Sequence, residues 1–484
     1  MPGVVRSVQN SCRFAAFRFL CGLLSVTVCF TAAGQSAQEN SSESTAGNGQ
    51  EAPSSQPPAT TDAAAAATTA ESPSEAPAAQ APAAAPRVVD ACLQEILNQQ
   101  QLTRTIREMR NPLPRPTKEE GEKLRRPYQQ LVSKGYGAAE SKTVQDYLTY
   151  RVMQLTDPNF VVSPFNVHNL LREIEGDLDG SGREIGNEAN KRTARRKFCL
   201  DVLAVIKPLF ENNLDSRLGA ITICRLMYEE NPPSSEGRKS TLLREALSEL
   251  IGLLDNPQQP DSVKAAAAFA LRSVLRNCVV NETDQYRMVD SIAGQLARPC
   301  TETAYQLTLM DVLQEITYPR RTVGDPAPTS LKVFAAVLDD KSRPLEVRCL
   351  AALGVGRGPY DPQVRSFDPL AWKIADLTLE VGVRYTQAAN DDPMWKLCAG
   401  ALFFSFRPVG NTPEEARKGL LNRAPTSASI AAVAPLVIKV AAPMLVNETI
   451  SRDDLKTLAD WRNANQPADL TWDSQAPPLT GLQQ

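Results

Sequence analysis

The chain has 484 residues, with 52 Lys and Arg against 55 Asp and Glu, and a single histidine. A nucleic-acid binder carries a basic excess to meet phosphate, and this balance lacks one. One histidine also excludes a zinc site built on two of them, and leaves any Ser/His/Asp arrangement dependent on His168 alone.

At the amino end, Arg6, Arg13 and Arg18 precede the apolar run Phe19 to Phe30 and the small residues Thr31 to Gly34. This is the order of a secretory signal peptide over residues 1–34, cut near Ala33 or Gly34. The run is short for a transmembrane helix. The protein is therefore expected to be exported, periplasmic or extracellular, and to stay membrane-tethered if the signal is retained. Residues 35–86 hold six acids, no base, and otherwise almost only Ala, Pro, Ser, Thr, Gln, Gly and Asn. Such a stretch buries too little to offset its ordering entropy and is expected to be a disordered linker, extended by its prolines. What remains carries 49 bases and 49 acids.

Residues 87–197 read as an N-terminal helical region. Asp90 is placed to cap a helix reaching about Arg110, with Leu93, Ile96, Leu97 and Ile106 as its apolar stripe. Asn111-Pro-Leu-Pro-Arg-Pro116 ends it. Further helices are expected over about 142–156 and 165–175. His168 falls in the second of these, as an ordinary helix residue. Then comes Asp177-Leu-Asp-Gly-Ser-Gly-Arg-Glu-Ile-Gly-Asn-Glu188. Set against a twelve-position calcium loop, Asp177, Asp179 and Ser181 take positions one, three and five. Arg183 offers its carbonyl at seven, and Glu188 closes at twelve. Calcium wants several hard oxygens on one tight turn, and Gly182 permits the bend. Glu184 departs from the usual aliphatic at position eight, and no second loop pairs with this one. The other reading is a solvated turn between two helices. The basic run at 190–198 reads either as a patch for an acidic polymer or as a solvated helix paired with that acidic turn.

Residues 198–410 carry a recurring pattern. Leu250 to Asn277 and Leu331 to Gly354 both show an apolar helix end, an acidic turn, a proline and then Val-basic-x-x-Ala-Ala, at Val263-Lys264 and Val347-Arg348. Taking that basic residue as a mark, Arg217, Lys264, Gln306, Arg348 and Lys396 fall 47, 42, 42 and 48 residues apart. Two helices in a period of about 40–47 residues is the range of HEAT and armadillo arrays. The stretch 198–406 resembles the HEAT-repeat, armadillo-like α-solenoid family. The resemblance implies an all-α fold of stacked helical hairpins, a surface that takes a protein or peptide partner, and a non-catalytic binding or scaffolding role. An irregular helical bundle is the alternative fold. Two other functions stay open: a carbohydrate-active lyase or hydrolase using carboxylates and Tyr on an all-α scaffold, and a calcium-stabilised structural protein.

Seven cysteines follow the signal, Cys92, Cys199, Cys224, Cys278, Cys300, Cys349 and Cys398, and none forms Cys-x-x-Cys. They are expected to be buried free thiols. Gly354-Val-Gly-Arg-Gly-Pro359 follows a helix and reads as a helix-ending turn, not a dinucleotide loop. In the 411–465 helical cap, Thr412-Pro-Glu-Glu415 is a capping box expected to open a helix to about Leu421. An apolar helix is expected near 429–446, and Ser451 caps the last one. Residues 466–484 are expected to be unstructured.

Overall fold

Polar residues ahead of several of the apolar runs become helix caps. Asn187, Asn213, Asn281, Thr329, Asp392, Ser427 and Ser451 each accept a backbone N–H from the first turn of the helix they precede. They satisfy donors that a helix start otherwise leaves open. The computed structural model describes residues 88–230, 239–298, 300–318, 329–358, 364, 366–388, 392–410, 412, 415–422 and 427–469. Among these are seventeen α-helices and no strand. Two isolated bridges, Tyr228 with Leu242 and Ser240 with Cys278, are extended pairings there. The expected signal, the linker and residues 470–484 of the tail lie outside the described residues.

The helices are α1 (Val88–Glu108), α2 (Lys118–Lys134), α3 (Ser141–Val152), the single turn α4 (Pro158–Val161), α5 (Pro164–Gly180) and α6 (Glu188–Ile206). Next are α7 (Leu214–Arg225), α8 (Arg244–Asp255), α9 (Asp261–Asn277), α10 (Glu282–Ala297) and α11 (Thr303–Gln314). The last are α12 (Ser330–Asp339), α13 (Leu345–Arg357), α14 (Asp368–Gln387), α15 (Pro393–Phe406), α16 (Ala428–Leu445) and α17 (Arg452–Ala464). Helices α7, α9, α11, α13 and α15 form a row, each packed on the next, and α16 packs on α15. Their neighbours fold back on them as α8 with α9, α10 with α11, α12 with α13, and α14 with α15. α17 packs on α14 and α16. The apolar α16 is long enough to cross a membrane, and it buries Val433, Val437, Val440 and Met444 among these neighbours.

The five helices of the row begin at residues 214, 261, 303, 345 and 393. Each sequence mark is therefore the fourth residue of its helix. Four of the five marks are buried, and each of the four bonds to the following helix pair or its turn. Arg217 Nη1 donates to Gln259 Oε1 at 2.6 Å and Lys264 Nζ to Gln295 Oε1 at 3.2 Å. Gln306 Oε1 accepts from Arg343 Nη1 at 2.9 Å, and Arg348 Nη1 donates to Glu380 Oε2 at 2.7 Å. A buried polar group left unpaired is costly, so these bonds hold the spacing between pairs. Lys396 is exposed; its neighbour Trp395 is buried instead, edge-on to Tyr385 with ring centroids 5.7 Å apart.

Burial and the nearby Arg298 push the Lys264 ammonium below the usual lysine range. The folded state then binds fewer protons than the unfolded state in the window between the two pKa values. Stability consequently rises with pH through that window. Arg298 Nη1 already donates to Gln295 Oε1 at 2.9 Å, so Lys264→Met leaves that acceptor partnered. The substitution is expected to be neutral or to stabilise by up to about 1 kcal/mol near pH 7. It should also flatten the alkaline rise, which urea melts at a series of pH values will read.

Three expectations are corrected. Gly354 and Gly356 lie inside α13, not in a turn behind it. A Cβ at Gly354 would overlap the Phe334 ring, and one at Gly356 would overlap the Ser405 carbonyl. The glycines stay helical because α12 and α15 approach that closely. Thr412 Oγ1 does accept from Glu415 N at 3.2 Å, but only short 3-10 turns, Glu415–Arg417 and Leu420–Asn422, follow. The Glu415 carboxylate is taken by Arg357 and Lys418 at 2.8 and 2.7 Å, and Gly419, at φ +94°, turns the chain. Finally, Cys92 and Cys300 are disulfide-bonded. Cys199, Cys224, Cys278, Cys349 and Cys398 are buried free thiols, and burial pushes Cys199 and Cys278 up to about 12.

Candidate functional site

Residues 177–188 do not form a loop of their own. Leu170, Ile174 and Leu178 keep one face of α5 buried, and the helix runs through Asp177 and Asp179 to Gly180. Two residues apart on a helix, the carboxylates turn to different neighbours. Asp177 Oδ2 accepts from Tyr128 OH and from Arg151 Nη1, both at 2.8 Å. Burial raises the Asp177 carboxyl, with the Arg151 charge opposing it. Asp179 Oδ1 accepts from Arg195 Nη2 at 3.3 Å. Ser181 is buried and donates to Leu178 O at 2.8 Å. The turn is fastened to the end of α2 by Gly182 N to Val132 O at 2.8 Å and Glu184 N to Ser133 O at 3.0 Å. The Arg183 N–H donates to Gly180 O at 3.2 Å, and Glu188 opens α6 beside Lys191, 3.8 Å away.

The five expected ligands are thus near in sequence but not convergent. Among the described residues no group of three or more His, Cys, Asp and Glu is placed to hold a metal ion. With both aspartates engaged by arginine, the melting temperature is expected to be equal in calcium and in chelator. A rise of several degrees in calcium would show the ion displacing Arg151 and Arg195.

The basic run on α6 is occupied by acids from neighbouring elements. Arg195 is fully buried and donates to Tyr228 O at 2.7 Å. Arg196 bridges Glu229 and Glu245, and Arg192 reaches Glu230 at 2.9 Å. Asp201, also on α6, accepts from Tyr136 OH at 2.8 Å, Ser141 Oγ at 2.8 Å, Gln145 Nε2 at 2.7 Å and Lys197 Nζ at 3.0 Å. Burial works to raise that carboxyl, but the four donors outweigh it and hold it below the usual range. Ser141, Lys197 and Tyr136 are residue types used in nucleophilic catalysis. Here all three donate to one carboxylate, which joins α3 to α6, and Lys197 Nζ also donates to Ser141 Oγ at 2.6 Å. His168 is exposed on α5. A depression of about 510 Å³ is lined by Glu122, Lys123, Arg125, Arg126 and Gln129, all from α2 and none aromatic.

Exposed apolar groups and an unpartnered polar group come together at α1, which lies across α7 and α9. The expected apolar stripe is split. Ile106 is buried, while Leu93, Ile96 and Leu97 are 57%, 36% and 48% exposed. The inward side of the same turns is Glu95 and Gln99. Glu95 Oε1 meets Arg298 Nη2 at 3.2 Å, and Arg298 Nη1 meets Asp261 Oδ1 at 2.9 Å. Gln99 Oε1 accepts from the Asp261 N–H, first in α9, at 3.2 Å. The Cys92–Cys300 bond fixes the same turns. Nearby, Tyr305 is 1% exposed and its hydroxyl has no hydrogen-bond partner. Burial, and after it the negative charge of Asp261, push that phenol well above its usual range. An odd cysteine count hints at unequal thiol states, but no local pattern joins Cys92 to a residue 208 positions away. No family model, no curated protein and no solved structure matches the chain.

Proposed function

We propose that the chain is an exported, non-catalytic binding or scaffolding protein whose helices α7 to α15 form a HEAT-like α-solenoid. The observation that carries the reading is the recurrence of helix starts at 47, 42, 42 and 48 residues, with the row helices packed in sequence. The fourth residue of four of these helices is buried and bonded to the following pair, which supports a repeated unit. One hairpin cannot bury its apolar flanks alone, and stacking supplies the missing surface. A row of packed helices offers a long side-chain surface suited to a protein or peptide. The charged clusters support a binding role over a catalytic one, because their carboxylates are engaged by arginine, lysine and tyrosine. Arg6, Arg13, Arg18 and the apolar run after them support export, and residues 35–86 support a spacer that holds the body away from a membrane or wall.

The test has two arms. Cells making the protein are fractionated and the amino terminus of the exported chain is sequenced; a start near residue 34 or 35 is expected, and retention in the cytoplasm overturns the export reading. The exported chain is then cross-linked in its own compartment. A partner is expected that is lost when Lys396, exposed at the fourth position of α15, becomes glutamate while the melting temperature holds. Cleavage of an acidic polysaccharide by the purified chain would overturn the non-catalytic reading.

A further inference from the structure

We infer that α1 is a redox-released strap, and that opening the Cys92–Cys300 bond uncovers a groove for an amphipathic helix offering a carboxylate to Arg298. The inference stands on α1 and its neighbours, not on the scaffold reading above.

The way α1 is held is the first support. Its second half is anchored by Leu102 and the buried Ile106. Its first half turns Leu93, Ile96 and Leu97 to solvent and presents Glu95 and Gln99 inward. Apolar burial therefore contributes little to residues 92–101. They are held by the disulfide, one partly exposed ion pair and one hydrogen bond to a helix start. Ion pairs in that setting are weak.

The surface under those turns is the second support. Arg298, the Asp261 N–H and buried Lys264 are donors, and Lys264 has Gln295 as its hydrogen-bond partner. The Tyr305 hydroxyl is a further buried group with no partner. Glu95 and Gln99 use only part of this set. α1 thus sits as a ligand would, with its carboxylate on Arg298, and shows the class of helix that fits.

Cys92 and Cys300 are both half-buried, within reach of a small thiol. A dithiol reductant supplies the step. Its thiolate attacks one of the two sulfurs, the Cys92–Cys300 bond breaks, and the departing cysteine sulfur takes a proton. The second thiol of the reductant then displaces the other cysteine. The protein gains two thiols, the reductant leaves as its own disulfide, and two electrons have moved.

The test uses the full purified chain, oxidised or treated with dithiothreitol, and as a Cys92→Ser variant without reductant. Amide hydrogen exchange is read over residues 88–108. The probe is a fluorescent peptide of residues 88–110 carrying Cys92→Ser. Reduction and the variant are each expected to speed exchange over 92–101 at least tenfold, with α7 to α15 unchanged. Peptide affinity is expected to rise at least tenfold, and to fall back when the peptide also carries Glu95→Ala. Unchanged exchange over 92–101 would overturn the strap. Equal peptide binding to both forms, or none to either, would overturn the groove. General loosening of α7 to α15 on reduction would assign the bond to the fold as a whole and overturn both.

Discussion

Placing a methyl group on Gly356 is expected to cost about 3 kcal/mol or more, and the loss will show as a large fall in the urea midpoint with little change in slope. Glycine inside a helix ordinarily costs about 0.5–1 kcal/mol against alanine, so the substitution would help if space allowed. It does not allow it. The new Cβ would overlap the carbonyl of Ser405, and backbone in a packed helix cannot swing aside as a side-chain tip can. α13 and α15 would have to separate along their shared length, and Ser405 and Phe406 on α15 are both fully buried. The matched control is Gly252→Ala on α8, where nothing lies within 4 Å of the added carbon. That change is expected to stabilise by about 0.5–1 kcal/mol. Opposite signs from one chemical change would locate the effect in helix approach and not in glycine itself. A Gly356→Ala protein as stable as the parent would mean that α13 and α15 do not meet as described.

Removing Glu380 is expected to cost more than removing the arginine it holds. Arg348 is 3% exposed, and Glu380 Oε2 is its charged partner at 2.7 Å. Glu380→Ala strands a buried guanidinium and should cost about 3–5 kcal/mol. Arg348→Met keeps much of the volume and removes the charge. Glu380 then still has Arg384, one turn on at 2.9 Å, so the cost should be only about 1 kcal/mol. Adding Arg348→Met to Glu380→Ala is therefore expected to restore most of the lost stability, a coupling that a double-mutant cycle reads directly. Equal costs for the two single changes would show that the pair acts as a surface contact.

The row of helices was legible because its marks are chemically forced. Val263 and Val347 are fully buried and set the apolar face, Ala267, Ala268, Ala351 and Ala352 permit close stacking, and a polar residue at the fourth position reaches the next pair. The N-terminal region was less legible. Asp177 and Asp179 look like loop ligands in one dimension. Leu178 between them is buried, and Arg151 and Arg195, brought in from α3 and α6, satisfy the acids and let the helix continue. The split of α1 could not be read at all, because Leu93, Ile96 and Leu97 have the spacing of an inward face. What turns them outward is a sulfur bond and an ion pair to residues about 200 positions further on.

Synthesis runs from the amino end, so Cys92 emerges 208 residues before the sulfur it must find. Cys199, Cys224 and Cys278 appear in the interval, each able to capture it. In the folded chain all three are buried, Cys199 against the Tyr228 carbonyl, Cys224 within α7, and Cys278 at its bridge to Ser240. Native pairing therefore requires that none of these three captures Cys92 first, and a chain ending short of residue 300 lacks its native mate altogether.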